Sequence, residues 1–501
     1  MKSLLPRKLT TTLLLVLVTG MFALPARADE LEDLKAQMQQ MQQTMQQMQK
    51  KISQLETENA RQKQAPKHVA TAPKQQPAAP AEGPHPAPPT FNANGDQVVT
   101  IAPPTRTIQA HQSEVQQRAA MNDQQEAAPR PNDLTLDPQY RGFVPIPNTP
   151  VLIKFNAKPR LDFTEDPQNT GNDDRFVTAT IPVDGDPTKG EGNHFNINAL
   201  GSQLSIDVRA PDIPGNPRFY FQNDFLASGS NEFNFRVRQL YGEYYNFVFG
   251  QTYSVFEDPD AWPDTVDYEG PNSAIFGRRP LVKYQIPLDK HWQINLGLEQ
   301  PGSEVDTSID PDANQVNHAP DGGFNVRWED SKIGHVQFAT ILRDIGVKGP
   351  IVGNQNVFGW GLNLSTSLNV FEKDSVQAQL TYGQGLFRYF NDDFQNNDAA
   401  FNSSGELRPI PAFGAMIGYT HKWSDQFRST ASYGYVHLDN EFSQGPHAYH
   451  VTHYGSLNLV WQMRKRLSIG LETLYGHKEE KDGADGDAFR IQIGVVYSLF
   501  D

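Results

Sequence analysis

Two hydrophobic periods divide the chain. From Leu31 the apolar positions are Leu31, Leu34, Met38, Met41, Met45, Met48, Ile52 and Leu55, spaced alternately three and four apart, with Gln, Lys and Glu between them. Such an a/d seam is too narrow to be buried in a globular core and suits packing against copies of itself. It predicts a helical coiled coil over 29–63, with Asn59 at an a position helping to fix register. Self-association follows, of a number the seam does not specify. From residue 151 the period becomes two. Ile153, Phe155, Ala157, Leu161 and Phe163 share one face, and Lys154, Asn156, Lys158, Arg160 and Asp162 the other. In the last such segment Phe489, Ile491, Ile493, Val495, Tyr497 and Leu499 alternate with polar and small positions. Alternation of this kind makes strands with one apolar and one polar face.

About sixteen alternating segments fill 151–501, and their connections alternate in length. Long ones fall at 164–193, 254–274, 301–321, 344–355, 388–408 and 439–450. Very short ones fall at Tyr245, Asp289-Lys290, Asp330 to Lys332, Glu372-Lys373, Asp425 and Lys465-Arg466. Up-and-down pairing then puts the long connections at one end and the turns at the other. The expected fold is all-β, a 16-stranded antiparallel transmembrane β-barrel with short periplasmic turns and long external loops. In lipid such a barrel turns its apolar face outward and its polar face toward a wet lumen.

Composition agrees once it is divided by segment. Lys2, Arg7 and Lys8, an apolar run from Leu13 to Val18, and Ala26-Arg27-Ala28 read as a secretory signal over 1–28. Losing Lys2, Arg7, Lys8 and Arg27 takes the formal charge from −15 to −19. Residues 64–150 hold 16 of the 37 prolines and read as a disordered Pro/Ala/Gln-rich linker. Residues 151–501 hold 48 of the 52 aromatics, with Trp292, Trp328, Trp423, Tyr419 and Tyr497 placed to form interfacial girdles. Mean hydropathy is −0.57, and no second apolar run approaches the roughly 20 residues of a spanning helix. Zero cysteines exclude disulfides and thiolate chemistry, and the acidic balance argues against nucleic acid as a partner.

Charge is segregated. Loops 164–193, 254–274 and 301–321 carry −5, −6 and −5. Parity turns Lys154, Lys158, Arg160, Arg209, Arg236, Arg238, Arg279, Lys283, Arg327 and Arg490 away from the apolar face. A charge facing the lipid midplane would cost about 2–4 kcal/mol, so these ten are the expected lumen-lining cations, favouring anions or pairing with acids to stiffen the wall. Loop 254–274 has Phe256, Trp262 and Tyr268 to fold inward. Its Glu257, Asp258, Asp260, Asp264, Asp267 and Glu269 would then face the basic wall across a constriction.

The stretch VFGQTYSVFEDPDAWPDTVDYEGP (Val248 to Pro271), preceded by FRVRQLYGEY and followed by RRPLVKYQ, resembles the DcaP-like porins. In that family a G-Q-x-W-S-x-F segment and a P-x-T-x-D-[FY]-x-G-P segment bracket the constriction loop. Gly250, Gln251, Ser254, Phe256, Pro263, Thr265, Asp267, Tyr268, Gly270 and Pro271 match, and Tyr253 stands in place of Trp. The resemblance covers most of 151–501 and implies a homotrimer that passes small anionic organic solutes across the outer membrane, with the N-terminal region in the periplasm. The C-terminus departs from the family pattern: Asp501 stands where the final aromatic is usual, and Phe500 comes one place earlier.

No G-x-S-x-G, H-E-x-x-H or P-loop occurs, and neither an enzyme nor a cofactor is expected. His447, His450 and His453 are spaced three apart, so a strand turns His450 away from the other two and no metal site is expected. The expected function is an outer-membrane porin for passive diffusion of small hydrophilic, anionic solutes. The alternative is a structural anchor whose coiled coil and linker reach the periplasmic cell-wall layer.

Overall fold

A computed structural model of the chain describes residues 142–226, 233–371, 373–392 and 396–499. The signal, the coiled-coil positions Leu31, Leu34, Met38, Met41, Met45, Met48, Ile52 and Leu55, and the linker up to Arg141 lie outside the described residues. What is described is all-β, with three short 3-10 turns as the helical content among those residues.

Antiparallel ladders join each long strand to the next in chain order. They start at Gln203–Arg209 and run through Arg218–Asp224, Arg236–Tyr244, Phe247–Tyr253, Arg278–Pro287, Trp292–Glu299, Asp321–Asp330 and Gly334–Gly349. They continue through Gly353–Val370, Asp374–Gln384, Pro411–Lys422, Phe427–Leu438, Tyr449–Arg464, Leu467–Glu480 and Asp485–Tyr497. Leu152–Lys158 and Arg160–Asp166 flank Pro159, which has no amide hydrogen to give a ladder. The first arm pairs with Gln203–Arg209, and the second pairs with His194–Asn198 on one side and Asp485–Tyr497 on the other. The last strand thus meets the first.

Polarity is inside out. Phe155, Phe249, Ile417 and Leu457 are each more than half exposed, whereas Arg160, Gln203, Gln222, Arg238, Asn363, Glu472 and Arg490 on the opposite face are buried. A soluble sandwich would have these faces reversed. The buried apolar side chains come largely from connections folded inward. Phe256 and Ile275 pack with Leu386, Phe387, Tyr389 and Phe390 of a second connection, and Phe176 and Ile181 of a third pack on Tyr454, Leu474 and Ala488.

One expected external loop is strand instead. Where 344–355 was expected to be a long connection, strands run to Gly349 and resume at Gly353. The alternation simply continues there, because Ile345 and Val347 find apolar partners in Val305, Ala399, Phe401 and Leu407 from neighbouring connections.

Candidate functional site: an inward loop laced to a basic wall

The strand Phe247–Tyr253, which leads into the connection before Arg278–Pro287, bends at Gly250, whose φ is +126° and where a Cβ would stand 2.4 Å from the Leu240 carbonyl oxygen. Only glycine fits that bend without strain. Glu299 then receives the Ser254 hydroxyl at 2.9 Å and the Val255 amide at 2.5 Å, which turns the chain off the wall. The Val255 and Phe256 carbonyls accept from Asn325 at 2.7 Å and Asn363 at 3.0 Å.

Asp258 is the first charged anchor. Its carboxylate takes Arg327 Nη1 at 2.9 Å, His335 Nε2 at 2.8 Å and the Ser365 hydroxyl at 2.6 Å. Burial alone would raise its pKa, but His335 and Arg327 outweigh that and hold it well below the usual carboxylate range. Arg327 also reaches Asp260 at 2.8 Å and Glu329 at 3.0 Å. Farther along, Asp264 pairs with Arg428, and Arg160 donates to the Val266 carbonyl while holding Asp162 at 2.5 Å. The Val266 and Asp267 amides donate to Glu472.

Tyr268 closes the traverse. Its hydroxyl donates to Asp224 at 2.7 Å and receives Arg238. Asp224 also holds Arg236 at 2.6 Å and Arg238 at 2.9 Å. Register slips at this point, with Gln222 facing Gln239 and Asn223 facing Val237, so Arg238 is the extra residue of a bulge and both Arg238 and Gln239 are buried. Glu269 pairs with Arg175 at 2.8 Å. Asp267 accepts the Phe176, Glu269 and Gly270 amides at 3.1, 2.9 and 3.0 Å, yet burial pushes it up to about 6. Glu257, which accepts the Gly277 amide at 2.9 Å, is pushed by burial up to about 8.

Other cations expected at the wall keep their own partners. Arg209 holds Asp207 at 2.7 Å and Arg490 holds Asp166 at 2.6 Å. Arg279 lies 4.1 Å above the Tyr389 ring and donates to the Arg388 carbonyl at 2.6 Å. Lys158 is buried and Lys154 half-buried. Lys283 lines a cavity of about 100 Å³ between the loop and the turn end of the wall, with Glu243, Asn295 and Arg327. Sequence reasoning passed over Arg218, Arg343, Arg428 and Glu472. Parity could have found them, since Arg218 alternates with Phe219 just as Glu472 does with Leu471. Arg388 sits in a connection, where no alternation marks it. The three histidines disperse: His447 goes to Glu480 at 2.9 Å, His450 to the Leu438 carbonyl at 2.9 Å and His453 to the Tyr433 hydroxyl at 2.7 Å.

Residues 114–499 match the model of the family described as DcaP outer membrane protein. Among solved structures, the outer membrane channel DcaP of Acinetobacter baumannii aligns over 70% of this chain and 97% of its own, at 19% identity and TM-score 0.63. An anion-selective porin from Comamonas acidovorans aligns over 70% and 100%, at 10% identity and TM-score 0.46. OmpF of Salmonella typhi, in complex with daunomycin, aligns over 71% and 99%, at 10% identity and TM-score 0.43. Likeness of fold rests on the first of these. No curated protein sequence matches the chain.

Proposed function

The chain belongs to the DcaP outer membrane protein family, and from that premise we propose that it is an outer-membrane porin for passive diffusion of small hydrophilic, anionic solutes. The observation that carries this reading is the inversion of the wall: exposed apolar side chains on one face and buried arginines, amides and carboxylates on the other. That face can meet lipid, and the other can line water. Counting the arms beside Pro159 as one strand, and those beside Ala199–Ser202 as another, the ladders support a closed barrel of sixteen strands. A homotrimer with its N-terminal coiled coil in the periplasm completes the proposal, and transport rather than catalysis is its activity.

Anion preference is supported by wall cations that outnumber their local acids, as where Arg236 and Arg238 share Asp224. Purified protein in planar bilayers should give stepwise conductance with a reversal potential favouring chloride. Arg236→Ala combined with Lys283→Ala should shift that potential toward cation preference. Absence of conductance steps would refute the porin reading. A wild-type channel that prefers cations would refute the selectivity alone.

A further inference from the structure

The outward face of the last four strands changes character toward the end that bears the long connections. Near mid-strand, register sets Leu457, Thr473 and Ile491 side by side, a row without charge. The next outward row is Tyr433, Gly455, Tyr475 and Phe489, and the one beyond it is Tyr435, His453, His477 and Asp487. Beyond that, Glu479 faces Asp485. Imidazoles and carboxylates therefore follow directly on an aromatic row, on the side of the wall that does not face the lumen.

Within this patch the ligand atoms of His477, Asp485 and Asp487 all lie within 4.8 Å of one another. The His453 ring stands 5.7 Å from the His477 ring, centroid to centroid. We propose that His477, Asp485 and Asp487, with His453 as a fourth donor, form a binding site for a divalent transition cation of the zinc type on the outer surface of the wall. An ion bonded at roughly 2.0–2.2 Å needs its ligands no more than about 4.4 Å apart, which small side-chain rotations supply. Imidazole with carboxylate suits zinc, cobalt and nickel, whereas calcium wants six to eight oxygens.

Asp487, His477 and His453 already have groups that orient them, as metal sites require. Tyr475 donates its hydroxyl to Asp487 Oδ1 at 2.5 Å, and His477 Nδ1 lies 2.9 Å from the same oxygen. The Tyr433 hydroxyl lies 2.7 Å from His453 Nδ1, which leaves Nε2 as the ligating nitrogen. All four ligands stand on hydrogen-bonded strands and not on free loops, so the site is built on rigid elements. The nearby Lys189 Nζ is hydrogen-bonded to Asp184 at 2.6 Å and to the Asp485 backbone carbonyl at 2.7 Å, and its charge also acts on the Asp485 and Asp487 carboxylates. A second cluster, His447, Glu480 and Asp482, is the weaker candidate because Lys478 already neutralises Glu480 at 2.9 Å.

The test is calorimetric titration of the untagged full chain in detergent with zinc chloride, repeated with cobalt chloride while following visible absorption. About one zinc ion per chain should bind, undisplaced by an equal concentration of calcium. His477→Ala and Asp487→Asn should each weaken binding at least roughly tenfold, while His447→Ala leaves it unchanged. Heat-modifiable migration on gels confirms that each variant is folded. No saturable zinc binding by the wild-type chain would overturn the proposal, as would binding lost on His447→Ala and kept on His477→Ala.

Discussion

Removing Arg327 should free the first half of the inward loop. Its guanidinium holds Asp258 at 2.9 Å, Asp260 at 2.8 Å and Glu329 at 3.0 Å, and Asp258 is fully buried. Taking one partner from a buried ion pair costs roughly 3–5 kcal/mol, because the other charge is left without compensation. The lower end applies here, since Asp258 keeps His335 and Ser365. About 3 kcal/mol is a factor on the order of 10² in the ratio of detached to seated loop. The effect should stay local, because Glu472, Arg160 and Tyr268 still pin the segment from Val266 onward. Single-channel recording of Arg327→Ala should show frequent excursions to a larger conductance, and hydrogen exchange over 254–261 should speed up by a similar factor. Arg327→Lys should lie between the two, since one ammonium cannot bridge both acids. Conductance and exchange identical to wild type would refute the view that this arginine seats the loop.

Two further outcomes follow from the same loop. Burial holds the Glu257 carboxyl up to about 8 and Asp267 up to about 6, so the seated state binds protons that the detached, solvated state releases near pH 4–4.5. Seating should be strongest near that range and weaken as pH rises toward 8, while at lower pH protonation of Asp258, held low in the seated state, works against it. Exchange over 254–277 measured from pH 5 to 9 checks the sign after correction for intrinsic rates, and Glu257→Gln should flatten the upper part of the curve. Gly250→Ala should lower the yield of folded, heat-modifiable barrel and its melting temperature, at a cost of about 1–3 kcal/mol from an unfavourable φ and a clash with the Leu240 carbonyl. An alanine variant as stable as wild type would show that the strand tolerates a side chain at that bend.

Strand positions were legible because alternation is a local signal. The alternation of Leu204, Ile206 and Val208 with Gln203, Ser205, Asp207 and Arg209 fixes both the strand and its faces, and the turn residues Asp289, Lys290, Lys465 and Arg466 follow from where it breaks. Misplacing 344–355 had a physical source. Whether a strand goes on past the lipid depends on what covers it, and Val305, Ala399, Phe401 and Leu407 come from distant connections that no window of sequence relates to Ile345. The candidate site was legible as a list of charges but not as a list of pairs. Parity says that Arg327 faces the lumen; it cannot say that Asp258 and Asp260, some seventy residues earlier, will be brought onto it. The bulge at Arg238 is likewise invisible to parity, which assumes an unbroken period of two.

Pairing changes which charges can act on a passing solute. Of the six acids in the inward loop, Asp264 meets Arg428 and Glu269 meets Arg175, while Asp258 and Asp260 share the one guanidinium of Arg327 with Glu329. Glu257, pushed up to about 8, is mostly neutral at pH 7. The loop therefore presents less negative charge at a distance than its composition suggests, since a one-to-one pair at contact cancels beyond a screening length of about 8 Å. On the wall, Arg160 with Asp162 and Arg490 with Asp166 cancel in the same way, and Arg209 and Arg218 are balanced by Asp207 and Glu243. Arg236 and Arg238 both reach the one carboxylate of Asp224. Selectivity should then follow Arg236 and ignore Arg160 and Arg490. Neutralising either of the latter should cost folded yield while leaving the reversal potential where it was.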